Sequence, residues 1–145
     1  MIRTDLHLHT KYSSDSNASL ESVISRCLKT KLDCVAVTDH NTIQGALEIQ
    51  NIAPFKVIIG EEIKSTDGDI IGLFLTKLVP PGLTSKDTIS AVKKQGGLVM
   101  LPHLFDRVRP SAIGEKVFKE IAADADIIEV YNSRNIFKTD DQKAA

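Results

Sequence analysis

The sequence predicts an α/β fold with a largely parallel sheet joined by crossover helices. Three observations predict it. Short Val- and Ile-rich runs alternate with helical patterns along the chain. No internal repeat, low-complexity tract or Pro/Ser-rich linker interrupts that alternation. Polar residues collect at the C-terminal ends of the apolar runs, the rim where parallel α/β folds bind ligands. The chain of 145 residues suits one compact domain. Its five or six strands fall short of a complete (β/α) barrel, which needs seven or eight units and about 200 to 250 residues. The alternatives are an open α/β sheet and a barrel lacking its last strands, and the polar rim favours the second.

Each element has its own signal. Strands are expected at Ile2–Leu8, Cys34–Thr38, Lys56–Gly60, Ile70–Thr76, Leu98–Leu101 and Asp126–Tyr131. The first helix places Leu20, Val23, Ile24, Cys27 and Leu28 on one face, with Ser19 as its cap. Thr42 caps a second helix that runs to about Ile52, before Pro54. Ser85 caps a third, with Ile89 and Val92 inward and Gly96-Gly97 ending it. Ser111 opens a fourth, burying Ile113, Val117, Ile121 and Ala122. The stretch from Phe137 to Ala145 reads as the start of another helix.

Composition excludes several classes. With 18 Lys+Arg against 19 Asp+Glu, the net charge is -1, which argues against a general electrostatic nucleic-acid binder. No apolar run approaches the roughly 20 residues that cross a bilayer. Asp5 lies where a signal peptide needs apolar residues. A cytoplasmic location without membrane partners is the expectation. Cys27 and Cys34 offer neither a disulfide framework nor a zinc-ligand pair and read as two buried thiols.

The chemistry sits at the strand ends. Strand one ends in His7-Leu8-His9, strand two in Thr38-Asp39-His40, strand three in Gly60-Glu61-Glu62 and strand five in Pro102-His103. Strand six carries Glu129 and ends in Tyr131-Asn132. All four histidines lie at such ends. Alternate residues of a strand share a face, so His7 and His9 can aim at one point and share a metal ion. Mixed nitrogen and carboxylate donors suit zinc, manganese or iron better than calcium or magnesium. Alternation sends only one of Glu61 and Glu62 to the pocket and leaves the other solvated; it does not say which. Asp39 either supports His40 or faces the metal itself. Asp15 is a turn former or a further ligand, and Glu129 with Asn132 is a ligand pair or a hydrogen-bonded carboxylate beside a turn. Lys11, Arg107, Arg109 and Arg134 together offer an anion such as phosphate a landing place.

Asp5-Leu6-His7-Leu8-His9-Thr10, Ser14-Asp15, Ala36-Val37-Thr38-Asp39-His40-Asn41-Thr42, Gly60-Glu61-Glu62-Ile63 and Pro102-His103 resemble the PHP domain in order and spacing. This is the polymerase and histidinol phosphatase superfamily, and its small stand-alone phosphoesterases are the most similar members. The resemblance runs from Asp5 to about Asn135. It implies a distorted (β/α)7 TIM-like barrel with two or three divalent ions (Mn, Zn or Fe) at its C-terminal rim. By motif, His7 and His9 would bind the first ion, and Glu62 would bridge the first and second. His103 would bind the second, with Asn132 where members often show another ligand. Asp15 and His40 would bind the third. The family closes its site with an Asp-x-His motif on the last strand; here no histidine follows His103, and Asp140-Asp141 lies in the expected last helix. The resemblance therefore covers about two thirds of the usual domain, and a C-terminally truncated barrel with an uncovered, self-associating edge is expected.

These residues imply a metal-dependent phosphoesterase. Ions held by His7, His9, Glu62 and His103 would activate a water for in-line attack on phosphorus. Arg107, Arg109 or Arg134 would offset phosphate charge. Small phosphomonoesters, nucleotides or short oligonucleotide ends are the expected substrates. The competing readings are another barrel metallohydrolase, such as an amidohydrolase, and a non-catalytic metal- or partner-binding fragment.

Overall fold

The structure is a computed structural model that describes residues 1–130 except Phe105, Arg107 and Val108. Six strands form one sheet in chain order: β1 (Thr4–Leu8), β2 (Cys34–Val37), β3 (Lys56–Lys64), β4 (Asp69–Leu73), β5 (Leu98–Leu101) and β6 (Ile127–Ile128). Between them run α1 (Leu20–Lys29), α2 (Gln44–Ile52), α3 (Ser85–Lys93) and α4 (Glu115–Ile121). Five strand spacings would separate the edges of a flat sheet by about 24 Å. Yet His7 of edge strand β1 touches Glu129, one residue past edge strand β6, at 2.9 Å. The sheet is therefore curled into a half-barrel with a concave interior.

Strand alternation sorts side chains between the two faces. Ala36, Ile71, Leu73 and Met100 fill the concave face with Leu6, Ile58 and Ile127. On the convex side Val35 and Val37 pack with Leu20, Val23 and Cys27 of α1 and Ala46 and Ile49 of α2. Ile63, Ile70, Val99 and Leu101 pack there with Ile89 and Val92 of α3 and Ile121 of α4.

One expectation fails in a way that matters for the site. The expected largely parallel sheet is reversed at β4, which pairs antiparallel with both β3 and β5, while the β1–β2, β2–β3 and β5–β6 pairs are parallel. The reason is chain length. A parallel crossover needs a dozen or more residues, and only Ser65–Gly68 separate β3 from β4. Asp67-Gly68 is a hairpin signal, and Gly68 takes φ +140°, a backbone that L side chains rarely adopt. β3 also runs four residues past its expected end at Gly60, so Glu61 and Glu62 lie within a paired strand.

Smaller differences follow from local hydrogen bonding. Ser19 caps α1 as expected, its hydroxyl accepting from Ser22 N–H at 3.2 Å. The cap of α3 is Thr84 rather than Ser85. Helix α4 starts after Gly114, because Ser111 is used by Asp69, whose N–H donates to the Ser111 carbonyl at 2.8 Å. Thr42 accepts from Gln44 N–H at 3.2 Å, but Ile43 holds the cap position of α2. Leu28 turns outward at 52 % exposure, since α1 buries only a narrow stripe. Cys27 is buried, whereas Cys34 is half-buried at the start of β2. The expected sixth strand narrows to Ile127–Ile128, and both Tyr131 and the expected last helix lie outside the described residues.

Candidate metal centre

The concave rim is built by a break in alternation. Along β1, Asp5 pairs with Val35 but Leu8 pairs with Val37, so β1 carries one extra residue against β2. This bulge changes which face the strand presents. Leu6 points into the half-barrel, whereas Leu8 packs on the convex helices. His7 and His9, on either side of Leu8, turn inward. Glu62 reaches the same space from β3, and His40 from a single parallel bridge to Glu62 just beyond β2. His103 follows β5 with φ +34°, a backbone that bends its ring back over the rim.

Four imidazoles and a carboxylate converge there. Ring centroids lie 5.2 Å apart for His7 and His9, 6.0 Å for His7 and His103, and 4.8 Å for His9 and His40. Glu62 is fully buried among them. Its Oε2 lies 3.2 Å from His7 Nε2, 3.1 Å from His9 Nε2 and 3.5 Å from His40 Nδ1. Its Oε1 lies 2.8 Å from His103 Nε2. Burial alone would raise the Glu62 carboxyl, but hydrogen bonds from His103, His7 and His9 hold it well below the usual carboxylate range. Burial would likewise lower His7, yet Glu129 and Glu62 outweigh it and push the imidazole up to about 9.

The donor atoms fit a divalent cation. His7 Nδ1–H donates to Glu129 Oε1, which leaves Nε2 as the atom turned to the centre. His9 Nδ1 is taken by Ser13 Oγ at 2.9 Å. The two Nε2 atoms then face each other at 3.1 Å with Glu62 Oε2 beside both. Without a metal, a hydrogen on His7 Nε2 bridges this pair; a divalent ion that displaced it would find the same three donor atoms already gathered. Three groups of donors lie close enough to share an ion, with ligand atoms within 4.8 Å of one another, among the described residues: His7, His9 and Glu62; His9, Asp15 and His40; and His40, Glu62 and Asp69.

Asp69 was invisible in the sequence reading, because a parallel fourth strand would put its first residue at the opposite rim. The antiparallel hairpin brings it back beside Glu62, buried, with Oδ2 3.8 Å from His103 Nε2. Burial and the Glu62 charge raise its carboxyl, and a Ser111 hydrogen bond opposes them. Ser13 was also missed, being read only as part of a polar loop.

Other expected residues take different roles. Glu61 points away from the centre but is not solvated. The convex face is covered by the loop after β4, and Glu61 is fully buried, accepting Val79 N–H at 2.9 Å. That burial pushes its carboxyl up to about 7. Asp39 does not face the centre; its Oδ2 accepts from the Thr10 hydroxyl at 2.7 Å and ties the end of β2 to the loop after β1. Glu129 supports two ligands, His7 through Oε1 and His103 N–H through Oε2 at 2.7 Å. Lys11 lies over the Tyr12 ring at 5.5 Å, and Arg109 Nε pairs with Asp106 at 3.4 Å. Arg107, Asn132 and Arg134 lie outside the described residues.

The family model of the PHP domain matches residues 5–131. The chain belongs to the PHP domain family. An uncharacterised protein of Methanocaldococcus jannaschii is 37 % identical, over 91 % of this chain and 82 % of that protein. Among solved structures, a Bifidobacterium adolescentis protein, described on inference as a metal-dependent phosphoesterase, superposes with TM-score 0.77 at 16 % identity. That match covers 99 % of this chain and 82 % of the other. An amidohydrolase from Chromobacterium violaceum, solved with sulfate and no metal, gives TM-score 0.74 at 16 % identity, over 97 % and 81 % of the two chains. At these identities the structures establish a shared fold. The rim of this PHP domain carries clusters of His, Glu and Asp donors compatible with divalent ions. No helix of the described residues is long and apolar enough to cross a membrane.

Proposed function

We propose that this PHP domain is a metal-dependent phosphoesterase acting on small phosphomonoesters or nucleotides, with two or three divalent ions (Mn, Zn or Fe) in a barrel of the (β/α)7 type. The observation that carries the reading is the convergence of His7 Nε2, His9 Nε2 and Glu62 Oε2 within 3.2 Å of one another, each ring held from behind at Nδ1. His7, His9 and Glu62 would hold one ion, Glu62, Asp69 and His103 a second, and Asp15 and His40 a third. Such ions supply Lewis-acid activation of water and of a phosphate ester. Glu62 can serve two ions because its oxygens face opposite ways, Oε2 toward His7 and His9 and Oε1 toward His103. Glu129 keeps two ligands in register through one carboxylate. Arg109 and Lys11 are the described cations for the phosphate group, Arg109 already oriented by Asp106.

The test is hydrolysis of phosphomonoester, nucleotide and amide panels with added Mn²⁺ and with chelator. Phosphate release that is lost on chelation and restored by Mn²⁺ is expected. His9→Ala should lose metal content and turnover together, while Lys64→Ala, exposed at the end of β3, loses neither. Amide cleavage without phosphate release would favour the amidohydrolase reading. That reading draws on the Chromobacterium fold likeness, but β4 carries no lysine that could act there. A chain that binds metal and turns nothing over would favour the non-catalytic reading.

A further inference from the structure

His9 belongs to two donor groups at once. Its Nε2 faces His7 and Glu62, and its Nδ1 lies 3.5 Å from Asp15 Oδ1, in the group completed by His40. A neutral imidazole has one lone-pair nitrogen and one N–H, so it can serve only one of these groups as a ligand. Ser13 lies where this choice is made. It is 4 % exposed, and its hydroxyl has three neighbours: Asp15 Oδ1 at 2.8 Å, His40 N–H at 3.1 Å and His9 Nδ1 at 2.9 Å. The hydroxyl owns a single proton. A carboxylate can only accept, so that proton goes to Asp15. The His40 N–H can only donate, so it points at Oγ. The remaining lone pair of Oγ faces His9 Nδ1, which must therefore carry the hydrogen.

We propose that Ser13 is a positioning residue that fixes His9 as the Nδ1–H form, commits its Nε2 to the His7–Glu62 group, and leaves Asp15 and His40 to a separate, weaker site. This rests on the metal-centre reading above. Because one hydroxyl also holds the Asp15 side chain and the His40 backbone, its loss loosens both groups together. Supporting hydrogen bonds of this kind change metal affinity by about 10- to 100-fold.

The proposal is tested by Zn²⁺ titration of the full chain and of Ser13→Ala and Ser13→Thr, with ¹⁵N NMR of the histidine rings. Wild-type His9 is expected to show a protonated Nδ1 with and without Zn²⁺. Ser13→Ala should weaken the tightest Zn²⁺ site about 10- to 100-fold and populate the Nε2–H form in the metal-free protein. Ser13→Thr, which keeps the hydroxyl, should restore both. An unprotonated Nδ1 in wild-type His9 overturns the proposal even if neither variant folds. So does a Ser13→Ala protein with unchanged Zn²⁺ affinity and ring form. Wild-type protein that takes up no Zn²⁺ would instead sink the metal-centre reading, while the ring form of metal-free wild-type His9 would still decide for or against Ser13.

Discussion

In the metal-free protein His7 holds a proton that the unfolded chain gives up. Its value rises from 6.5 to about 9. A group raised on folding contributes fully below its unfolded value and loses that contribution as pH rises through its folded one. Metal-free protein should therefore lose up to about 3 kcal/mol between pH 6.5 and 9 from this residue. Glu129→Gln, which removes one of the two carboxylates responsible, should shrink that loss; an unchanged slope in urea unfolding would refute the assignment. Glu61 acts at lower pH. Its carboxyl is raised from 4.5 to about 7, so the unfolded chain ionises first, and stability falls across that window. Glu61→Gln should flatten the fall, worth about 3 kcal/mol, between pH 4.5 and 7. Strand parity alone predicts that Glu61 and Glu62 face opposite ways. It does not predict that both are buried, because that depends on the loop at Val79, whose folding over β3 has no local sequence signal.

At the scale of elements, α2 sits unusually close to the loop after β1. A Cβ on Gly45 would fall 2.1 Å from Asp39 Oδ2 and 2.5 Å from Thr10 Oγ1. Gly45→Ala should cost about 1–3 kcal/mol through overpacking. Gly114→Ala, where a Cβ meets nothing within 4 Å, should cost less, about 0.5–1 kcal/mol, because only the glycine cap of α4 is lost there. Gly68→Ala combines a φ of +140° with a 2.7 Å approach to Ile113 Cγ1. It should both destabilise the β3–β4 hairpin and weaken metal binding, because Asp69 is the next residue. The helices and the positions of most strands were legible from periodicity and Ser/Thr caps. Strand direction at β4 was not, since an apolar run reads the same in either sense, and only the four-residue connection reveals the reversal.

Across the whole molecule, curling is what makes a site. Residues 122 positions apart, His7 and Glu129, meet because the two sheet edges approach each other. His7, His9, His40 and His103 were legible as a set, because each ends an apolar run; that position does not separate Glu62 from Glu61, and only the PHP resemblance singles out Glu62. Asp69, Ser13 and the supporting role of Glu129 emerged only from the closed geometry. Asp69→Ala should reduce the number of tightly bound divalent ions, measured by elemental analysis after desalting, while leaving the His7–His9–Glu62 group filled. A full complement of ions in that variant would exclude Asp69 as a ligand.

The bulge in β1 makes the strand a phase dislocation. Before it, Leu6 shares the concave face with Ala36 and Met100; after it, that face passes to His7 and His9. The spacing between the apolar half and the metal-facing half of β1 is thus fixed to an odd offset. Paired without that bulge, the same strand would alternate unbroken from Leu6, which would set Leu8 on the concave face and both histidines on the convex one. A strand paired in this way would keep its whole sequence, yet present leucine to the rim and imidazole to the helices. In this fold, one residue of slippage in the pairing of the first strand separates a rim lined with metal donors from a rim lined with leucine.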